Sequence, residues 1–339
     1  MGLAYEFHAR FTGKGSSVIN ALLMSWQHTD VSGEQTDQVM ITVAAPDLDS
    51  LPDEDEQIGF SWGPSVNGQP ALVDKGKFII TRITPSLWPH RVTIIATAAR
   101  FQVADQTGFK LRRSQTWEKT TVGKIFRELV NRHGLSPRIA ADLDNISIDH
   151  IDQNDETDMA FLTRIARKYD AVAKPVDDLY IMARRGQVKS ISGKTLTPVV
   201  FSLPKNNVPT SSNFVNASID FPSRSRFKGV WAMWLNQASG EEIKVSVGEA
   251  PFKRLPQKFE SELLAKQQCE SVLRKAWRTA NAIRLDVPAN PYLVAEGIIT
   301  LDGSFPAYMA GDWSIDKVIT TSNAKSGARS MLYATRPDG

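Results

Sequence analysis

Short apolar runs, each bounded by polar turn formers, recur near the start of the chain. The runs "VMITVAAP" (39–46), "FIITRIT" (78–84) and "RVTIIATAA" (91–99) are rich in β-branched residues. Turn formers bound them, among them "GPSVNGQP" and "PSLWPH", so the pattern predicts strands. Asn67-Gly68 predicts a tight turn, because both residues tolerate positive φ. Residues 1–104 thus read as a mostly-β segment of barrel or sandwich type.

At 122 the period changes to that of a helix. Val122, Ile125, Phe126, Leu129 and Val130 share one face, Thr120 or Thr121 can cap the start, and Gly134 can end it in the left-handed conformation. A second helix is predicted with Asn154 as its cap. Asp155, Glu156 and Asp158 would fill its first turn, Leu162, Ile165, Ala166 and Tyr169 its apolar stripe, and Arg164, Arg167 and Lys168 its later part. Acids first and bases last complement the helix dipole by about 0.3–1 kcal/mol each. The run "AVAKPVDDLYIMAR" (171–184) reads as a hairpin around Pro175–Asp178. Residues 186–213 are rich in Ser, Pro and Asn and read as a connection.

Beyond it, "FVNASIDF", "FKGVWAMWL" and "EEIKVSVG" predict strands, and "SELLAKQQCESVLRKAWRTAN" predicts a long helix with Ala265, Cys269, Val272 and Ala276 on one face. Strands return in "AIRLDVP", "EGIITLDG", "DWSIDKVITT" and "ARSMLYATR". The expected class is α+β, mainly β. The expected division is a first β domain at 1–104, an α/β middle at 105–190, a connection at 191–212, and a second β domain at 213–339 with a helix at 261–280.

Composition adds limits. Of 339 residues, 42% are apolar and 23% charged, which suits a globular chain with a sizeable core. Forty bases against 37 acids give a net charge of +3, so no global field draws the chain to nucleic acid. The single cysteine, Cys269, excludes an internal disulfide and any zinc site needing two thiolates, and fits synthesis in a reducing cytoplasm. No apolar run reaches the roughly 20 residues of a membrane span, so a soluble protein without membrane insertion is expected.

The search for chemistry yields little. "TGKGSS" (12–17) lacks the upstream glycine of a phosphate loop and reads as a turn. "DLDSLPDEDE" (47–56) lacks the glycine and ligand spacing of a calcium loop and reads as a solvated acidic loop. His8, His28, His90, His133 and His150 are scattered, with no metal-ligand spacing among them. The acids of 152–158 could supply a glycosidase pair, but stabilisation of a helix start explains them as well. "KLRRSQTWEK" (110–119) mixes bases with Trp117 over too short a stretch to argue for single-strand binding. No catalytic, cofactor or metal residues are predicted.

The segment "QNDETDMAFLTRIARKYDAVAKPVDDLYIM" (153–182) resembles the signature of the phage late-control D proteins. These are tail-hub proteins of contractile-tailed phages, related to the hub part of type VI secretion spike proteins. Gln153, Glu156, Thr157, Asp158, Phe161, Leu162, Arg164, Ile165 and Ala166 match the family's Q-x-x-E-[ST]-D-x-x-F-[LI]-x-R-[LI]-A run. Residues 76–99, 111–135 and the closing segments from 261 onward are similar to further family segments in the same order. Where the family often carries a His near the end, Thr320 or Thr321 stands here.

The resemblance implies two tail-tube-like β-barrels with a smaller α/β part between them, no catalysis, and a homotrimeric ring joining the sixfold tail tube to the threefold spike. Tube, spike and tape-measure proteins would be partners, nucleic acid would at most pass through the ring, and the location would be the virion tail baseplate. Because the chain stops soon after the closing segment, the spike is expected to be a separate chain. The signature residues would be structural. Trp231, Met233 and Leu235, on one strand face with Trp234 on the other, would line either a ring contact or the barrel core. A tail-associated peptidoglycan hydrolase and a glycan- or receptor-binding β protein stand as alternatives.

Overall fold

A computed structural model describes residues 7–33, 36–45, 51, 53, 56–66, 68–98, 108, 111–176, 179–186, 197–221, 227–323 and 327–337. The protein is mostly β with five helices among the described residues, an α+β architecture. By proximity it divides into two compact units assembled from separated segments. One draws on 1–106, 197–218 and 284–334, the other on 107–196, 219–283 and 335–339. The sequence-based divisions at 104, 190 and 212 follow the chain, whereas these units follow contacts in space.

The first unit begins with β1 (Phe7–Thr12), the short helix α1 (Ser16–Leu22) and β2 (Leu23–Val31). It continues with β3 (Gln38–Ala44), β4 (Gln57–Val66), β5 (Gln69–Pro70), β6 (Val73–Leu87) and β7 (His90–Thr97). The predicted turn at 67–68 joins β4 to β5, with Asn67 itself outside the described residues. Most of the acidic run 47–56 also lies outside them, but Asp53 and Glu56 both pair with Lys14, at 2.8 and 2.6 Å. "TGKGSS" leads into α1, with Gly15 in the left-handed region just before it.

The β-branched runs alternate as a half-buried sheet should. Val39, Ile41, Val43, Ile58, Phe60, Phe78, Ile80, Val92 and Ile94 turn inward with Phe11, Trp26 and Trp62. The rings of Trp26, Phe60 and Trp62 lie 5.2 Å apart in successive pairs about Trp26. His28 is buried beside Phe60 and Phe78, and desolvation lowers its pKa to about 4, so it is neutral at physiological pH.

The second unit opens with β8 (Arg112–Thr121), α2 (Val122–Arg132), β9 (Ser136–Ile139), α3 (Ala141–Asp144), β10 (Ser147–Thr157), α4 (Asp158–Lys168), β11 (Ala171–Val176) and β12 (Leu179–Arg184). Thr121 caps α2 by accepting from the Lys124 amide, and Gly134, at φ 69°, ends it as its sequence predicts. Gly123 is required by packing, since a Cβ there would lie 1.7 Å from Asp144 on α3. β10 pairs antiparallel with β8; β12 pairs antiparallel with β11 and parallel with β9. The β11–β12 turn falls at 177–178, outside the described residues. Between these layers lies a core of Val122, Ile125, Phe126, Leu129, Phe161, Leu162, Ile165, Tyr180 and Met182, all at most 1% exposed.

Part of the expected connection, 187–196, is outside the described residues; the rest carries β13 (Val199–Phe201) and leads to β14 (Asn216–Asp220). The second unit then resumes with β15 (Gly229–Leu235), β16 (Glu242–Gly248), β17 (Phe252–Phe259) and α5 (Glu262–Ala280). β15 is the central strand, antiparallel to β16 and parallel to β17. Ser261 caps α5, whose Ala265, Cys269, Val272 and Leu273 pack on Val230, Ala232 and Trp234.

The chain returns to the first unit through β18 (Ala282–Pro288), β19 (Ile298–Leu301), β20 (Gly311–Asn323) and β21 (Gly327–Thr335). Here the fold departs from any reading along the chain. β2 pairs with β20, from Ser25↔Asn323 to Val31↔Lys317, so the first and last strand sets form one 13-stranded sheet. Its main path runs β1-β4-β6-β7-β3-β2-β20-β21-β18-β14, with β5, β13 and β19 alongside.

Candidate functional site

The signature segment lies entirely within the second unit, where the structure corrects its expected start. Asn154 does not cap a helix. Residues 147–157 are strand β10, held to β8, with a register shift between Gln153 and Glu156. Asp155 sits in this bulge at φ 44°, and its amide donates to Ser114 Oγ at 3.2 Å. The helix begins at Asp158, and Thr157 caps it by accepting from the Ala160 amide at 3.1 Å. Asp158 is therefore the one acid of the first turn, and Arg167 and Lys168 are the bases of the last.

Asp158 does not serve as a solvated dipole group either. It is fully buried at the centre of a polar cluster. Gln153 Nε2 donates to its Oδ1 at 2.7 Å, and His133 Nε2 lies 2.8 Å from its Oδ2. Arg132 Nη1 donates to the same oxygen at 3.2 Å, with Arg113 Nε 3.5 Å away. Gln153, also fully buried, donates to the Glu156 carbonyl at 3.0 Å and so secures the bulge. One carboxylate thus ties together β8, the end of α2, β10 and α4. Burial of a charge is tolerable in such a place only because partners surround it.

Glu156 and Arg164 form a second, more exposed layer. Arg164 Nε lies 3.2 and 3.3 Å from the two Glu156 oxygens. Its Nη2 donates to the Asp152 carbonyl, and its guanidinium lies 5.0 Å from the Phe161 ring. Phe161, Leu162, Ile165 and Ala166 then turn into the core. All eight expected signature positions lie in one patch of the second unit, the polar ones binding strand to helix and the apolar ones filling the space beneath.

Sequence reasoning missed His133, Arg132 and Arg113. His133 follows α2 by one residue, so only the packing of α2 on α4 brings it to Asp158; its place at a helix end next to the predicted Gly134 stop was the available signal. At the far end of α4, Lys168 offers its carbonyl to Gln268 Nε2 (3.1 Å) and Ser271 Oγ (3.0 Å) of α5. Asp170 there binds Arg278 at 2.8 Å, both buried.

Asp152 is half-buried, and its carboxyl is held below the usual range by hydrogen bonds from Thr116 and His150. Among the described residues no group of three or more His, Cys, Asp or Glu is placed to hold a metal ion. Donors from Gln153, His133 and Arg132 converge on Asp158, while the buried Gln153 Oε1 has no hydrogen-bond partner among the described residues.

No family model matches the sequence. The probable baseplate hub protein of Escherichia phage P2 is 31% identical to it over 225 residues, 64% of this chain and 53% of that protein. The chain is similar to this phage baseplate hub protein over that stretch. It spans about half the length of the curated relatives it matches. Solved structures share the fold of this chain. A tail protein from Neisseria meningitidis MC58 superposes with a TM-score of 0.68 at 13% identity, over 98% of this chain and 97% of that one. A component of the Escherichia coli type VI secretion system superposes with a TM-score of 0.59 at 11% identity, over 98% and 77%. The likeness expected from the signature is found in sequence for phage hub proteins and in fold for tail and secretion proteins.

Proposed function

We propose that the chain is a structural hub subunit of the baseplate of a contractile phage tail or phage-like injection machine. Three copies form a ring that joins a sixfold tail tube to a threefold spike. The observation that carries this reading is the 31% identity to the P2 baseplate hub protein over 225 residues. The fold shared with tail and secretion proteins supports it. In this reading tube, spike and tape-measure proteins are the partners, the virion baseplate is the location, and the chain works by assembly rather than turnover.

The finer reading gives the chain two tube-like barrel domains. The set β1–β7, within 1–104, meets the set β13, β14 and β18–β21, within 213–339 apart from β13, along the β2–β20 pairing. Two strand sets per chain and three chains present six similar walls to a sixfold tube. The path ends at β1 and β14, edges through which neighbouring copies can pair. The signature residues Gln153, Glu156, Asp158, Phe161, Leu162, Arg164, Ile165 and Ala166 serve in this reading as the fastener that holds the middle part rigid.

The test is light scattering on the purified chain, with a low-resolution image beside it. A mass three times the 37.6 kDa of one chain and a ring with a central opening are expected. A monomer that also fails to assemble with tube and spike proteins would refute the proposal.

A further inference from the structure

α5 covers one face of the β16-β15-β17 sheet; the other face has a distinct make-up. Trp231, Met233 and Leu235 of β15 lie on it, because alternation sends their neighbours Val230, Ala232 and Trp234 to the helix. The register sets Lys244 opposite Met233 and Arg254 opposite Trp231. The Trp231 ring is therefore approached by a cation from each flanking strand, with Lys244 Nζ 4.8 Å and Arg254 Cζ 5.1 Å from its centroid. Lys244 also lies 5.8 Å from the ring of Phe252, which is 40% exposed. At the far end Lys258 is neutralised by Glu242 at 2.5 Å. Lys244 and Arg254 have no carboxylate partner among the described residues. The face is thus an apolar ridge flanked by two uncompensated cations that the tryptophan holds in place.

We propose that this face docks an acidic protein segment whose carboxylates alternate with apolar side chains. The inference does not depend on the hub reading. Trp, Met and Arg are the residues enriched at the cores of protein interfaces, and here they stand together on one surface. Lys244 and Arg254 lie along the Trp231 ring and are already ordered, so pairing with carboxylates costs less conformational freedom than at loose surface side chains. Alternation suits a sheet face, on which every second residue of an extended segment meets the ridge. Single-stranded nucleic acid fits less well, because its bases need an open aromatic face and cations already occupy the surroundings of this ring. A second copy apposing the same face would set like charges against each other.

The test uses the full chain and a fluorescein-labelled 12-residue peptide of alternating Glu and Leu, titrated by anisotropy at low salt. Controls are a Lys/Leu peptide of equal length and a 12-nucleotide oligothymidylate. The Glu/Leu peptide binds and the Lys/Leu peptide does not. The double variant Lys244→Glu, Arg254→Glu binds at least about tenfold more weakly, and Trp231→Ala also weakens binding. Lys253→Glu, on β17 but turned to the other side, stays within about twofold. Circular dichroism checks that each variant is folded. Several outcomes overturn the proposal: no binding of the acidic peptide at millimolar concentration, equal binding by the charge-reversed variant, oligothymidylate binding that depends on the same residues, or a change in the chain's own oligomeric state on charge reversal.

Discussion

Replacing Asp158 by Asn keeps the shape of the side chain and removes the charge on which the second unit's polar cluster converges. Oδ2 is approached by His133 at 2.8 Å, Arg132 at 3.2 Å and Arg113 at 3.5 Å, and Oδ1 accepts from Gln153 at 2.7 Å. An amide can accept at only one of those positions and sets its own N–H groups against donors at the other. Removing one member of a buried ionic group costs about 3–5 kcal/mol. Arg132 and Arg113 keep 27% and 34% side-chain exposure, so water recovers part of the loss and the lower end, about 3 kcal/mol, is expected. Because the chain holds two units, a single unfolding curve mixes them, and hydrogen exchange read peptide by peptide is the better assay. A loss of about 3 kcal/mol speeds exchange of the most protected α2 and α4 amides by about 150-fold and leaves the β1–β7 peptides unchanged. Glu156→Gln, which loses only a partly exposed pair with Arg164, should change the same amides less than about fivefold. An Asp158→Asn protein whose α2 and α4 exchange rises less than tenfold would refute the view that this carboxylate fastens the unit.

Leu162→Ala empties a fully buried site and should cost about 2–5 kcal/mol, lowering the unfolding midpoint of its unit by roughly 5–15 °C in calorimetry. His28 adds acid sensitivity. Its folded pKa of about 4 lies below the unfolded value of 6.5, so the unfolded chain takes up the proton first. Stability is full above pH 6.5 and falls by roughly 3 kcal/mol as the pH drops toward 4; urea midpoints of His28→Leu should show a visibly shallower slope over that window. Arg278→Met should cost about 3 kcal/mol by stranding buried Asp170, and adding Asp170→Asn, which removes the stranded charge while tolerating the positive φ at that position, should regain part of it in a denaturant double-mutant cycle. Burial, with Glu270 nearby, pushes the Cys269 thiol up to about 11, so a disulfide reagent at neutral pH should label the chain only once it is denatured.

Much of the local structure was legible in the sequence. The stripes of 122–130 and 162–169 and the β-branched runs of 39–45 and 91–97 between turn formers were sufficient, because helix period and β-branched content each mark their element locally. The failures share a cause. The strand β10 and the helix α4 abut without a break, and four acids near the junction looked like a helix start. What decides the boundary is the pairing of 147–157 with β8, a contact from another part of the chain. β17 was missed because Pro256 interrupts its pattern; it tolerates the proline at a register shift between Trp231 and Met233 of its neighbour. The burial of Asp158 was invisible for the same reason as the role of His133: charge in a sequence says nothing about which helix will fold over it. The merging of the first and last strand sets also left no local trace, since strand edges carry no label for their partners.

The β2–β20 pairing also sets an order of events during synthesis. One edge of β2 is matched at once by β3, but its other edge waits for residues 317–323. At ribosomal speeds of about 5–20 residues per second, those residues emerge roughly 15–60 s later. For that interval the nascent chain presents a bare row of amides and carbonyls, the kind of template on which unrelated strands stick together. Expression of C-terminally truncated chains would leave the seam unclosed permanently, so insolubility of such fragments is built into the topology.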